Sequence, residues 1–155
     1  MKVLFADLPV TRMNPERGDK CFEVVQPFRF MIDRDMIEIP AGFWTDWATV
    51  SIAASLISPI DPQICRPALA HDFLYFIGYQ NSKLVCDKFL ETAMEFEGAG
   101  WLKKNIVFIG VQVGGTPVWE MYRKSVSYFL KGISYHMADG NDLNLFTVPN
   151  WRQSP

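Results

Sequence analysis

The segment Ala68-Leu69-Ala70-His71-Asp72-Phe73-Leu74-Tyr75 sets an imidazole and a carboxylate side by side among apolar residues. The fold has to accommodate both polar groups. Moving an unpaired polar group out of water costs about 2–7 kcal/mol, and an unpaired carboxylate costs more. Each of these two side chains therefore needs a hydrogen bond, a counter-charge or a metal ion. The rest of the chain has to supply those partners.

This stretch is predicted to be helical. Pro67 is typical of the first turn of a helix and Gly78 of its end, so we expect a helix from about Pro67 to Ile77. The helix is apolar on every side apart from His71 and Asp72, and a helix of that kind is usually buried.

A second helix is expected after a short turn. Asn81 or Ser82 can cap its start, and it continues to about Glu97, where glycines follow. Asp87 stands in line with the apolar residues Leu90 and Met94 of this helix, at i+3 and i+7. A carboxylate among residues that are expected to be buried needs a polar partner.

The short turn predicts that the two helices are antiparallel, which brings Asp87 to His71. At 1.5 Å per residue, both residues lie about 9–10 Å from the turn and therefore at nearly the same level. A carboxylate on one ring nitrogen fixes the tautomer of a histidine and leaves the other nitrogen free as a base. We therefore predict that Asp87 orients His71, with Tyr75 as a lid.

Asp72 projects about 100° around the helix from His71, so it is free to bind a hard cation or to accept a backbone donor. Asp46 is a second candidate ligand, although a helix N-cap is the alternative for that residue. The His-Asp pair itself has an alternative as well. A buried, fully hydrogen-bonded pair can be a structural node that fixes the register of two helices.

The N-terminal third of the chain is predicted to be a hairpin. Partial alternation from Phe22 to Phe30 gives the first strand, and Met36-Ile37-Glu38-Ile39 follows the turn-prone Asp33-Arg34-Asp35. Pro27 makes the first strand an edge strand or a bulged one. Pro40-Ala41-Gly42 ends the sheet.

Helices are predicted for most of the remaining chain. We expect a short helix over 47–57, capped by Thr45 or Asp46, and a third helical region over 102–113. Gly114-Gly115 is expected to interrupt it, and Pro117 to open a last helix that reaches about Lys131.

The sequence thus predicts a single α+β domain over residues 1–155. A small antiparallel sheet precedes a helical subdomain with an antiparallel helix pair. An irregular C-terminal arm covers 133–155.

Composition excludes several classes of function. Fifteen basic and 17 acidic residues give a formal charge of −2, and without a basic run nothing predicts a nucleic-acid partner. Asp7 interrupts the apolar N-terminus, so no signal peptide is expected. The most apolar segment, Ile106 to Val113, is far shorter than the roughly 20 residues of a transmembrane helix.

Three motifs carry a resemblance that covers roughly residues 22–115. They are Gly42-Phe43-x-Thr45-Asp46-x-Ala48-Thr49-Val50, then His71-Asp72-x-Leu74-Tyr75, then Asp87. Together they resemble a family of small bacteriophage and prophage proteins known as a domain of unknown function. Its pattern has a serine where this chain has Thr49 and a proline where it has Ser51. The resemblance implies a location in the virion or the host cytoplasm, and other phage structural proteins as partners.

The helix pair is also similar to the small calcium-dependent secreted phospholipases, in which a His-Asp-x-x-Tyr helix packs against a helix that bears an Asp. This resemblance implies that His71 is a general base, that Asp72 binds calcium or another divalent cation, and that Asp87 orients the base. The glycine-rich calcium loop and the disulfides of those enzymes are missing here. Only the segment 40–46 approximates the loop, and Asp46 is its candidate ligand.

Two hypotheses of function remain. The first is a phage hydrolase in which His71 activates a water molecule against an ester or a cell-envelope substrate, with Asp87, Tyr75 and a cation at Asp72 and Asp46 in supporting roles. The second is a virion or assembly protein without catalytic activity, whose His-Asp pair is a structural node.

Overall fold

The structure is a computed structural model that describes residues 1–17, 22–46 and 61–126. Its strands are β1 (Val3–Phe5), β2 (Thr11–Met13), β3 (Phe22–Val24), β4 (Phe28–Ile32), β5 (Asp35–Ile39) and β6 (Trp44–Thr45). Its α-helices are α1 (Pro62–Ile77), α2 (Lys83–Phe96) and α3 (Trp101–Val126). The predicted α+β class is confirmed, with the strands at the N-terminal end and the helices after them.

The strands form two small antiparallel sheets, in the orders β1-β4-β5 and β2-β3-β6. The predicted hairpin is present as β4 and β5, with Phe28 opposite Ile39. The predicted first strand of this hairpin is too long. The segment 22–30 contains β3 and the start of β4, which belong to different sheets. The break includes Pro27, which lacks the N–H that a sheet ladder needs. The strands β1, β2 and β6 have only two or three residues each, too few for a visible alternation.

Helix α1 begins five residues earlier than predicted. Asp61 is its N-cap, with Oδ1 accepting the backbone N–H of Gln63 at 2.9 Å, and Pro62 takes the first helical position. Pro67 therefore lies inside the helix rather than at its start. The predicted end is confirmed: Gly78 adopts a left-handed conformation, with φ of 66°, that a residue with a side chain rarely adopts.

Helix α2 matches its prediction. The hydroxyl of Ser82 caps the helix by accepting the N–H of Val85 at 3.3 Å, and the helix ends at Phe96. Arg66, near the start of α1, donates to Glu97, just past the end of α2. The two helices are therefore antiparallel, as expected.

Helix α3 runs without a break from Trp101 to Val126, so the predicted interruption at Gly114-Gly115 is wrong. A Cβ built on Gly115 would lie 2.6 Å from the hydroxyl of Tyr75. The missing side chain thus serves close packing against α1 rather than a turn. Pro117 is also inside the helix and does not open a new one. Within 1–17, 22–46 and 61–126, α3 and the other helices all lack the combination of length and apolar character that membrane crossing requires.

Three of the predictions concern other parts of the chain. The short helix over 47–57, the end of the last helix near Lys131 and the C-terminal arm over 133–155 lie outside the described residues.

The main core lies between the strands and the helices α1 and α2, and a second cluster lies among the three helices. On the sheet side, phenylalanine rings from both layers are in contact; Phe30 of β4 lies 5.3 Å from Phe89 of α2 and 6.2 Å from Phe5 of β1. On the helix side, a smaller apolar cluster joins all three helices, with Ala68, Leu90 and Val107 among its members. The expectation that α1 is buried is confirmed by its central turns, where the apolar side chains are fully buried.

We expect Phe30→Ala to lower the free energy of unfolding by about 3–5 kcal/mol, because it deletes a fully buried ring from this cluster. Urea denaturation measures the change. The matched control is Leu4→Ala in the neighbouring strand β1, where the side chain is 49% exposed, with an expected loss of at most about 1 kcal/mol. Equal losses in the two variants would contradict the placement of the core.

Candidate functional site

The carboxylate of Asp87 is the centre of a polar network formed with His71, Tyr75, Lys83 and Gln112. Its side chain is completely buried in α2. Oδ1 lies 3.1 Å from Nε2 of His71 and accepts the hydroxyl of Tyr75 at 2.5 Å. Oδ2 accepts Nζ of Lys83 at 2.7 Å and the amide of Gln112. The predicted contact between His71 and Asp87 is therefore present, and three further donors join it.

Each donor reaches Asp87 because of its place on a helix. His71 and Tyr75 are four residues apart in α1 and therefore share a face. Lys83 precedes Asp87 by four residues in α2, the spacing of a helical ion pair. Gln112 comes from α3, next to Val111, whose backbone oxygen accepts a second hydrogen bond from Lys83 at 3.1 Å. Three helices thus converge on one carboxylate.

His71 has its two ring nitrogens in different surroundings. An ionised carboxylate only accepts hydrogen bonds, so Nε2, which faces Asp87, carries the ring proton. Nδ1 then holds the lone pair, and it lies 4.0 Å from Oδ1 of Asp72. This is the tautomer in which a histidine presents Nδ1 as a base.

The protonation states follow from burial and pairing. Burial lowers the pKa of His71 below its ordinary value, against the opposing effect of Asp87, so the imidazole is neutral at neutral pH. Burial alone would raise the pKa of Asp87, but the hydrogen bonds from His71, Lys83 and Tyr75 outweigh it and leave that pKa lowered. Burial and the contact with Asp87 raise the pKa of Tyr75, which keeps its hydroxyl a donor.

Tyr75, predicted as a lid, lies inside the network rather than over it. Its ring centre is 4.2 Å from that of His71 and 5.3 Å from that of Trp119 in α3. The side chain is only 2% exposed. The tyrosine thus fills the space between α1 and α3 and turns its hydroxyl toward Asp87.

Asp72 is tied to the second sheet. The hydroxyl of Thr45 in β6 donates to Oδ2 of Asp72 at 2.5 Å, and Thr45 is fully buried. Asp46 follows Thr45 and lies near enough for its charge to act on the pKa of His71. Of the two predicted cation ligands, Asp72 therefore lies on the Nδ1 side of the imidazole.

Asp72 and Asp46 alone would supply only part of the ligands of a calcium ion. Calcium takes six to eight oxygen ligands, of which carboxylates are the strongest. Over the described ranges 1–17, 22–46 and 61–126, no three His, Cys, Asp or Glu side chains are grouped closely enough to hold a metal ion. Asp72 and Asp46 as cation ligands stay a prediction.

The sequence reasoning missed Lys83 and Gln112. The contact of Lys83 could have been predicted, because a lysine four residues before a buried aspartate on one helix indicates an ion pair. The contact of Gln112 could not, because only the packing of α3 against α2 brings that residue to Asp87.

We expect the free energy of unfolding to decrease as the pH falls below about 6.5, the ordinary pKa of histidine. In that range the unfolded chain binds a proton at position 71 while the folded chain, with its lowered pKa, does not. Urea denaturation at pH 7.5, 6.5 and 5.5 measures the effect. His71→Gln, which can still donate to Asp87, should weaken the pH dependence in this window.

The control is His136→Gln, which removes the other histidine of the chain and should keep the native pH dependence. An unchanged slope in the His71 variant would show that His71 is not the group that titrates.

The comparisons with known proteins give a family and nothing closer. No curated protein matches the chain, and no solved structure matches it either. The sequence profile of the family described as "Protein of unknown function (DUF1353)" matches residues 22–111, which is more than half of the chain. The matched range includes His71, Asp72, Tyr75 and Asp87, and it ends one residue before Gln112. The chain therefore belongs to this family of proteins of unknown function.

Proposed function

We propose that this chain is a bacteriophage or prophage hydrolase in which His71 activates a water molecule against an ester or a cell-envelope substrate. One observation carries the proposal. Nε2 of His71 is held by Asp87 at 3.1 Å, while Nδ1 faces Oδ1 of Asp72 at 4.0 Å. The imidazole is thus oriented on one side and paired with a second acceptor on the other.

The space between Nδ1 and Asp72 suits a nucleophilic water. A separation of 4.0 Å is too long for a direct hydrogen bond, and both atoms are acceptors. A water molecule that donates one proton to Nδ1 and the other to Asp72 would bridge the two side chains. Its oxygen would then present a lone pair to an electrophile, beside a neutral imidazole ready to accept a proton.

The reaction needs His71 as base and then as acid. Nδ1 takes a proton from the water as the water oxygen bonds to the carbonyl carbon and an electron pair moves onto the carbonyl oxygen. The tetrahedral intermediate collapses, the bond to the leaving group breaks, and the imidazolium returns its proton to that group. A carboxylic acid and an alcohol or amine are released, and His71 is neutral again. Asp87 and Asp72 stabilise the imidazolium in between.

The resemblance to calcium-dependent phospholipases supports these roles, since it implies His71 as base and Asp87 as its orienting carboxylate. Calcium or another divalent cation at Asp72 and Asp46 is part of the same proposal as a ligand only. No step of the reaction is assigned to it, because the described residues do not complete its coordination.

The phage setting rests on the resemblance carried by the Gly42-Phe43 motif, the His71-Asp72 motif and Asp87. That resemblance supports a location in the virion or the host cytoplasm, with other phage structural proteins as partners.

We expect the purified chain to hydrolyse at least one of p-nitrophenyl butyrate, phosphatidylglycerol vesicles or peptidoglycan, each assayed with calcium chloride and with EDTA. His71→Gln and Asp72→Asn should lower kcat by about 10²–10⁴-fold, because the first removes the base and the second removes the negative charge that stabilises the imidazolium. His136→Gln serves as the control and should keep the native rate. Native rates in both site variants, or no turnover of any substrate, would refute the hydrolase.

A structural node is the second candidate, and a specific observation favours it. His71 is only 4% exposed, and four donors from three helices satisfy Asp87. Buried networks of this kind hold helices in register without any catalytic role. The chain would then be a virion or assembly component.

For this candidate, we expect His71→Ala to lower the Tm by several degrees, because the truncation leaves the Oδ1 side of Asp87 short of a donor in the interior. Differential scanning calorimetry measures the shift, and mass spectrometry of purified phage particles looks for the chain in the virion. The exposed Lys88→Ala, which removes a surface ion pair with Glu91, is the control and should shift the Tm little. An unaltered Tm in the His71 variant would count against the node.

A further inference from the structure

The four donors on Asp87 are divided between its two oxygens. Oδ1 accepts hydrogen bonds from α1, from His71, which is the base of the proposed reaction, and from Tyr75. Oδ2 carries Lys83, at 2.7 Å, and Gln112. The carboxylate is thus held at both ends, with α1 on one oxygen and with Lys83 and α3 on the other.

Lys83 is itself fixed in place. Its ammonium group donates to the backbone oxygen of Val111 at 3.1 Å, and it lies 5.9 Å from the ring centre of Tyr75. The side chain is only 17% exposed, so its stem and head have little freedom. Gln112 is the next residue after Val111, so one turn of α3 contributes both the amide and the anchor for the lysine.

We infer that Lys83 and Gln112 are positioning residues for His71 and act through Asp87. Their importance for catalysis rests on the proposed hydrolase, and their action on the imidazole does not. By holding Oδ2 they stop the carboxylate from turning about its last side-chain bond. Oδ1 therefore stays directed at Nε2, and Nδ1 stays directed at Asp72.

The effect on rate follows from geometry. The terminal torsion of an aspartate is broad, so a carboxylate held at one oxygen alone turns easily. A misplacement of about 1 Å in a catalytic group costs about 10²-fold in rate. A group that turns is misplaced for part of the time, which affects kcat more than KM because neither Lys83 nor Gln112 touches the substrate in this scheme.

The experiment compares Lys83→Met and Gln112→Leu with the native chain. Two readouts are taken: the ¹⁵N and ring N–H signals of His71 in histidine-labelled protein, and kcat and KM on whichever of the three substrates the native chain hydrolyses. The matched control is Val113→Ala, the next residue of α3, whose side chain is 72% exposed and lies outside the network.

We expect the native chain to show His71 with its proton on Nε2 and slow exchange of that proton with water. In both variants the exchange should become faster and kcat should fall about tenfold or more with KM unchanged. The control should match the native chain in both readouts. Lys83→Arg, which keeps the charge and can still donate to the carboxylate, should restore slow exchange.

Other results separate this inference from the proposed function. If stability falls but the Nε2 proton and kcat of the folded variants stay native, the two residues are structural and the inference is overturned. A native chain with the proton on Nδ1 overturns it as well. If no substrate is turned over while the variants still speed the exchange, the hydrolase fails and the positioning role stands. Gln112→Leu leaves the ion pair intact, so it decides the matter if Lys83→Met does not fold.

Discussion

The interior carboxylate of Asp87 is the constraint on which the helical half of this protein depends. An ionised group without water needs several hydrogen bonds and a counter-charge, or it costs several kcal/mol. Here α1 supplies an imidazole and a phenol, α2 supplies an ammonium group, and α3 supplies an amide. The two oxygens of Asp87 therefore receive their hydrogen bonds only when all three helices keep their observed positions along one another. The register of the helices thus depends on a single side chain.

The same constraint links stability to the proposed chemistry. Burial keeps the imidazole of His71 neutral, and Asp87, which faces Nε2, fixes the tautomer whose lone pair is directed at Asp72. Asp72 is in turn held by Thr45 from the second sheet, so the two acceptors that would bind a water are fixed by different layers of the fold. A structural node and a catalytic base are thus two uses of one arrangement, and what divides them is access of a substrate to an imidazole that is almost fully buried.

Local signals predicted much of the helix pair. The cap at Ser82 and the left-handed Gly78 depend on a few neighbouring residues, so they are visible in the sequence. Other sequence signals gave wrong predictions, because their meaning depends on residues elsewhere in the chain. Gly115 looked like a break in a helix, yet it is small because the hydroxyl of Tyr75 lies against it. Pro67 looked like a helix start, but Asp61 and Pro62 form a stronger one five residues earlier.

The contact between His71 and Asp87 follows from local sequence, because helix rise and a short turn place the two residues at equal distance from that turn, and apolar neighbours direct both side chains inward. The surroundings of the pair depend on how distant segments pack. Gln112, Thr45 and Trp119 reach the site across gaps of 25 or more residues in sequence, and no local rule of spacing or capping specifies which helix face packs on which. These contacts form because the whole core packs together. That packing is a property of the complete folded chain and cannot be read from one segment.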